Sequence, residues 1–139
     1  MNAVDTNVIV YSLDAGDPVK HAKTQALLSG LVAGSTPTIL PWQVAGELLN
    51  WLRRWQAAGS VSGPDVEAHF GNTLALFPLA IPTAKVFPKY FDLFSRFSLS
   101  HWDCMLLAAC HEVGVTTLYS EDMDAGTDFD GLRVVNPFA

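Results

Sequence analysis

The chain has 139 residues, half of them apolar, and its 14 acidic and 8 basic side chains give a formal net charge of −6. This length suits one domain with a substantial core, and the apolar content argues against a disordered chain. No apolar run reaches the ~18 residues of a transmembrane helix, and the first residues lack the basic segment of a signal peptide. We therefore expect a cytosolic protein with no membrane span.

Strand and helix patterns alternate along the chain. In chain order, we predict a strand at 1–4, a helix directly after Asp5, a helix at 19–32, a strand at 38–40, a helix from Pro41 to about 58, a helix at 62–76, a strand at 78–81, a helix at 83–97, an apolar helix at 105–113, and strands at 115–119 and 132–135. Thr83 and Ser100 are expected to cap the last two helices, and Pro88 to kink or shorten the first of these. Such alternation predicts one three-layer α/β domain over residues 1–139, with a mostly parallel sheet of about five strands.

Acidic residues directly follow two of the predicted strands. Asp5 comes after the first strand, and Ser120-Glu121-Asp122 comes after the strand at 115–119. In parallel sheets ligands bind beyond the carboxyl ends of the strands. We therefore expect these two acidic segments to meet at one edge of the sheet.

Three of the acids also have a purely structural interpretation. Asp5 can cap the following helix, which is worth ~1 kcal/mol. Asp103 stands third after Ser100, much like a capping box with Asp in place of Glu, and Asp122 fits a solvated turn. The position of Asp5 at the end of a strand favours a role in a functional site. For Asp103, local sequence leaves both the capping role and a site role open.

Glu47 lies in the middle of a predicted helix. It shares a polar stripe with Gln43, Asn50 and Arg54, which by itself is typical of a solvent-facing surface. The rest of the helix is apolar, which favours a buried helix whose polar stripe lines a cleft. Gly46 weakens the helix by ~1 kcal/mol relative to Ala, so we expect another group to pack closely there.

Acidic residues are concentrated near the C-terminus. Five of the fourteen acids lie within ten residues, and the other nine are nearly balanced by eight bases. These five are Glu121, Asp122, Asp124, Asp128 and Asp130. Such a cluster indicates either a cation site or a solvated acidic loop, and we expect the last three to form a polar loop.

Other motifs that carry chemistry are absent. Cys104 and Cys110 lie six residues apart in one apolar segment, so buried free thiols are expected. The four histidines show no metal-ligand spacing, and neither a Ser-His-Asp or Cys-His arrangement nor a glycine-rich phosphate loop is evident.

Three motifs, together with Glu47 inside the third helical segment, resemble the PIN domain and are most similar to VapC-type toxins of prokaryotic toxin–antitoxin pairs. The motifs are Val4-Asp5-Thr6-Asn7-Val8, Ser100-His101-Trp102-Asp103 with Leu106-Leu107-Ala108-Ala109, and Leu118-Tyr119-Ser120-Glu121-Asp122-Met123. The resemblance extends from Val4 to the strand at 132–135. It implies an acidic catalytic and metal-binding quartet, with Thr6 and Ser120 as accessory positions and Asp124 as a candidate further acid. The quartet consists of Asp5, Glu47, Asp103 and Asp122.

The resemblance implies a ribonuclease that uses Mg²⁺ or Mn²⁺ to hydrolyse RNA phosphodiester bonds. Oxygen ligands suit both cations. Two alternatives within the family are a catalytically silent binding protein and a stand-alone nuclease without an antitoxin. A phospho-accepting receiver domain also places acids at strand ends, but it needs a lysine after the last strand, where residues 132–136 contain only Arg133.

The resemblance also implies partners. VapC-type toxins bind an antitoxin whose tail enters the acidic cleft, and they usually form homodimers.

The basic residues expected to contact RNA phosphates are Arg53, Arg54, Lys85, Lys89 and Arg96. Aromatic residues that belong either to the core or to an interface are Trp51, Trp55, Phe91, Phe94 and Phe97.

Overall fold

The computed structural model describes residues 1–139 as six strands and six helices. The strands are β1 (Asn2–Val4), β2 (Thr38–Pro41), β3 (Leu79–Ala80), β4 (Thr117–Tyr119), β5 (Asp128–Phe129) and β6 (Leu132–Val135). The helices are α1 (Thr6–Leu13), α2 (Pro18–Ala33), α3 (Trp42–Ala57), α4 (Gly63–Leu76), α5 (Val86–Arg96) and α6 (His101–Glu112).

The six strands form one sheet in the order β3-β2-β1-β4-β6-β5, and all neighbours are parallel except β5 and β6. Because crossovers between parallel strands are right-handed, α1 to α4 lie on one face and α5 and α6 on the other. The contacts agree, since α1 packs on α2 and α3, α3 packs on α4, and α5 packs on α6. The predicted fold class, a mostly parallel α/β sheet, is confirmed.

The sequence prediction missed the antiparallel hairpin β5–β6. Phe129 pairs with Leu132, so the turn consists of Asp130 and Gly131 alone, and both have positive φ (55° and 90°). Asp-Gly between apolar residues is a strong hairpin signal, because a type I′ turn needs positive φ at both positions. The signal was therefore present in a segment that we interpreted as a polar loop.

Asp130 also belongs to an ion-pair network that joins this hairpin to α5. Lys89 Nζ lies 2.8 Å from Asp130 Oδ2, and Arg96 donates to both Asp130 and Asp92. These contacts hold the pKa of the Asp130 carboxyl well below its usual range. Lys89 and Arg96, which the sequence offered for contacts with RNA, are both paired with carboxylates in the free protein.

The start of α5 also differs from the prediction. The helix begins at Val86, and the Thr83 hydroxyl accepts from the Lys85 backbone N–H and donates to Glu112 instead of capping the helix. Pro88 lies in the first turn, where a backbone N–H has no partner within the helix, so it causes no break.

The inner strands are buried because helices cover both faces of the sheet. Ala3, Val4, Leu118 and Val134 are fully buried, as expected for central parallel strands. Both cysteines are buried free thiols, as the sequence predicted. None of the helices combines the length and apolar character that crossing a bilayer requires.

Candidate active site

Asp5 lies at the carboxyl end of β1 and is only 6% exposed. Its backbone N–H continues the β1–β4 pairing by donating to the Tyr119 carbonyl at 2.9 Å. One carboxylate oxygen caps α1 by accepting from the Thr6 N–H, and the other accepts from the Ser120 hydroxyl, both at 2.7 Å. The capping and site interpretations therefore describe the same side chain.

Glu47 lies on α3 and is joined to this edge of the sheet by Thr6, the residue that follows Asp5. The Thr6 hydroxyl donates to Glu47 Oε2 at 2.5 Å, and the Gln43 amide donates to Oε1 at 3.1 Å. The predicted location is correct, but two of the reasons for it were wrong. The helix exposes Trp42 and Trp51 and buries only one face, and a Cβ added at Gly46 would meet nothing within 4 Å.

Asp122 approaches from the segment after β4. The Asn7 side-chain amide donates to Asp122 Oδ2 at 2.8 Å, and the Asp122 N–H donates to Ser120 Oγ at 3.2 Å. Ser120 therefore links the backbone of Asp122 to the carboxylate of Asp5. The two acidic segments meet at one edge of the sheet, as the strand-end pattern predicted.

These side chains line a cavity of about 320 Å³ that contains no lysine or arginine. Its lining residues are Asp5, Thr6, Asn7, Val10, Tyr11, Asp14, Glu47, Trp51, Glu121 and Asp122. A larger cavity of about 460 Å³ borders α1, α2 and Leu76, but none of its lining residues is titratable. The smaller cavity is therefore the candidate site.

The carboxylates of the cavity destabilise each other's charged forms. Burial raises the pKa of Asp5 to about 6, and the nearby charges of Glu47 and Asp122 act in the same direction against its hydrogen bonds. Burial also raises the pKa of Asp122, followed by the charges of Glu121, Asp103 and Glu47. A cluster of this kind attracts cations.

The sequence and the fold agree with one known family. The family model of the PIN domain matches residues 3–128 of the chain. The chain belongs to the PIN domain family. Among proteins with curated descriptions, none matches the sequence significantly.

Solved structures similar to this PIN domain share its fold at low sequence identity. One is VapC20 of Mycobacterium tuberculosis, described as a sarcin–ricin loop cleaving toxin, with 19% identity, a TM-score of 0.65, and coverage of 89% of this chain and 92% of that one. A toxin–antitoxin complex from Klebsiella pneumoniae has 17% identity, a TM-score of 0.68 and coverage of 99% and 98%. VapBC-1 of nontypeable Haemophilus influenzae has 12% identity, a TM-score of 0.71 and the same coverage.

Asp103 lies in the first turn of α6 of the PIN domain and is half-buried. Its N–H donates to Ser100 Oγ at 3.3 Å, so the predicted serine cap is present. Asp103 does not line the acidic cavity, although its charge contributes to the raised pKa of Asp122. The structure therefore does not bring Asp103 into the cavity with the other three acids of the predicted quartet.

The remaining acids have different surroundings. Asp124 is exposed and its side chain makes no hydrogen bond or ion pair, whereas Glu121 lines the cavity and pairs with Lys20 at 2.8 Å.

Sequence reasoning assigned no role to Asn7 or Gln43. Asn7 follows Asp5-Thr6 directly, and Gln43 precedes Glu47 by one helical turn, so adjacency and i,i+4 spacing were the available signals.

The donor set of the PIN domain suits a hard divalent cation. Every polar group of the cavity that could ligate an ion is an oxygen, and one more oxygen, Asn7 Oδ1, is buried with no hydrogen-bond partner. No three acidic, histidine or cysteine side chains lie close enough to hold one ion together. An ion in this cavity would therefore keep water for most of its ligands, as Mg²⁺ does in proteins.

Proposed function

We propose that this PIN domain, acting as one unit over residues 1–139, is a metal-dependent endoribonuclease that hydrolyses RNA phosphodiester bonds. The observation that carries the proposal is a cavity where Asp5, Glu47 and Asp122 meet, with no basic side chain among the lining residues. Because the carboxylates repel one another and would repel a phosphodiester, the site needs a bound cation before the substrate can approach.

The proposed cation is Mg²⁺ or Mn²⁺, with Asp5 and Asp103 as the principal ligands and with Glu47 and Asp122 completing the site through coordinated waters. When bound, such a cation neutralises the phosphodiester and lowers the pKa of a coordinated water. Thr6 and Ser120 are proposed as accessory residues of the site, and their hydroxyl groups already donate to Glu47 and Asp5.

The residues of the chain position the carboxylates before any ligand binds. The Thr6 N–H and the Ser120 hydroxyl hold both oxygens of Asp5, and the Asn7 amide holds Asp122. Glu47 is held by the hydroxyl of Thr6 and the amide of Gln43. Hydrogen bonds of this kind fix the orientation of metal-binding carboxylates and are often needed for full activity.

The test is cleavage of RNA by the purified protein with Mg²⁺, with Mn²⁺ and with EDTA. We expect cleavage with either metal, loss of cleavage in EDTA, and its return when excess metal is added. An Asp103→Asn variant purified in parallel controls for contaminating nucleases and should be inactive. Full activity in EDTA, or equal activity of the variant and the wild type, would rule out this mechanism.

We further propose that the protein is the toxin of a type II toxin–antitoxin pair in the cytoplasm. The fold is shared with VapBC and other toxin–antitoxin complexes, and the cavity has uncompensated carboxylates that would attract an arginine or lysine of a partner. Co-expression of the tagged protein with the product of a neighbouring short gene should yield a complex that does not cleave RNA. If no neighbouring product binds or inhibits it, a stand-alone nuclease is the better assignment.

A homodimer is proposed as the state of the toxin itself. Three phenylalanines at helical spacing, Phe87, Phe91 and Phe94, form one exposed face of α5 and are 51%, 67% and 55% exposed. Light scattering at high micromolar concentration should give the mass of a dimer, and Phe91→Ser with Phe94→Ser should give the mass of a monomer. A wild-type monomer under these conditions would contradict the proposal.

A further inference from the structure

Two exposed tryptophans flank a second hollow beside the acidic cavity. Trp42 begins α3 and is 57% exposed, and Trp102 lies in the first turn of α6 and is 63% exposed. The hollow has a volume of about 360 Å³ and is lined by Trp42, Gln43, Gly46, Glu47, Asn50 and Trp102. Because Glu47 lines both spaces, a molecule in the hollow would lie next to the acidic cavity.

The rim of the hollow is held in place within the chain. The Gln43 amide donates to Glu47 and to the Trp102 carbonyl, both at 3.1 Å, and so connects α3 to α6. The His101 ring contacts the Trp102 ring edge-to-face at 4.6 Å between centroids, and His101 Nδ1 is hydrogen-bonded to the Tyr90 hydroxyl at 2.8 Å. A surface ordered in advance loses less conformational entropy when a ligand binds.

Groups that could recognise a ligand remain free in the hollow. The Asn50 side chain and Gln43 Oε1 make no hydrogen bond within the chain, so donors and two acceptors are available. A Cβ at Gly46 would meet nothing within 4 Å, so the wall is open at this residue. The volume of about 360 Å³ is within the ~300–1,000 Å³ of small-ligand sites.

The lining of the hollow offers no positive charge to the phosphates of an occupant. No lysine or arginine lines the hollow or the acidic cavity, and the basic residues of α3, Arg53 and Arg54, lie outside both linings. Aromatic rings, by contrast, bind nucleobases through stacking, which needs no positive charge. Amide groups can hydrogen-bond the edges of an unpaired base.

We propose that the hollow between Trp42 and Trp102 binds an unpaired base of the RNA substrate, beside the phosphodiester that enters the acidic cavity. The inference rests on the proposed ribonuclease function and adds to it a contact with a base next to the cleaved phosphodiester. Continuity with the acidic cavity through Glu47 favours a base over a second copy of the chain. The phenylalanine face of α5 lines neither space and remains the candidate dimer contact.

The test measures binding of labelled RNA by fluorescence anisotropy in Mg²⁺, in an Asp5→Asn background that should leave the RNA intact. The probes are a single-stranded oligonucleotide of about ten nucleotides and the same strand in a duplex. Trp102→Ala removes a stacking surface, and Gly46→Leu places a side chain at the open wall of the hollow. Gly71→Leu is the matched control, because Gly71 also lies within a helix and a Cβ there would meet nothing within 4 Å.

We expect Trp102→Ala and Gly46→Leu each to weaken single-strand binding about tenfold, with little change for the duplex, and Trp102→Phe to restore most of the loss. Gly71→Leu should bind like its parent. If the wild type cleaves RNA but both hollow variants bind single strands as tightly as the parent, the base site is wrong and the nuclease assignment stands. Conversion of a dimer to a monomer by Trp102→Ala would also overturn the base site. Absence of metal-dependent cleavage by the wild type would instead remove the proposed function.

Discussion

Replacing Asp5 by asparagine should abolish RNA cleavage and at the same time stabilise the metal-free protein near neutral pH. The loss of activity, on the order of 10³-fold or more, follows from removing the buried carboxylate proposed as a principal metal ligand. The gain in stability follows from burial, because the charged carboxylate is 6% exposed and the nearby Glu47 and Asp122 oppose its charge. Opposite changes in activity and stability are typical of a site residue.

The pH dependence of this stabilisation has a defined sign. The pKa of Asp5 is about 6 in the folded protein against an ordinary value of 3.8, so folding favours the protonated form. The stability that Asp5 contributes is therefore complete below about pH 4 and is lost as the pH rises through about 6. The difference in pKa corresponds to at most about 3 kcal/mol in the free energy of unfolding. Because the variant loses the hydrogen bond from Ser120, its expected gain in stability at neutral pH is roughly 2 kcal/mol.

Urea unfolding of both proteins in EDTA, from about pH 4 to about pH 7, measures this effect. At about pH 4, where Asp5 is neutral in the folded wild type, the variant should be the less stable by about 1 kcal/mol because it lacks the Ser120 hydrogen bond. The variant should be the more stable at pH 7. Circular dichroism of the variant controls for an altered fold. Equal pH dependence of the two proteins, or a less stable variant at pH 7, would contradict the burial of a destabilising charge at Asp5.

Asp122→Asn is expected to lower kcat by about 100-fold, whereas Asp124→Asn should change it by no more than about twofold. The two residues lie two positions apart and both are exposed, but only Asp122 lines the cavity and accepts from Asn7. An asparagine at 122 can still accept that hydrogen bond through its carbonyl oxygen, so the loss should reflect the missing charge.

The measurement is kcat and KM for one RNA substrate at saturating Mg²⁺, with thermal unfolding of each variant recorded alongside. Asp124→Asn is the matched control, since it removes one negative charge from the same loop without changing a contact in the cavity. Equal losses in both variants would show that the overall charge of the loop matters and that Asp122 has no specific role. Such a result would return Asp124 to the candidate site.

The strand-end pattern was sufficient to predict one edge of the site. Asp5 and Ser120 directly follow β1 and β4, and parallel neighbouring strands bring their carboxyl ends together. The same reasoning predicted the sheet, because apolar segments separated by helical spacing have few other ways to bury both faces. Local chemistry also predicted Asp5 as a cap, which the Thr6 N–H confirms.

Local sequence patterns predicted less about residues whose contacts are with residues distant in the sequence. Gln43, Glu47 and Asn50 of the polar stripe line a cleft as predicted, although Arg54 does not and the helix is less buried than its composition indicated. Asp130 was interpreted as part of a solvated loop because Lys89 and Arg96 lie more than thirty residues away in the sequence. Such ion pairs depend on which surfaces the fold brings together, which no short window contains.

The sequence by itself determined the order of the helices and the parallel strands, and the strand ends at which acids gather, because periodicity and strand alternation are local properties. Only the tertiary structure decided that Thr6 holds Glu47 and that Asp103 does not line the cavity. It also decided that Trp42 and Trp102 flank a common hollow. These are contacts between side chains on separate elements, and their distances depend on how the helices pack across the sheet edge.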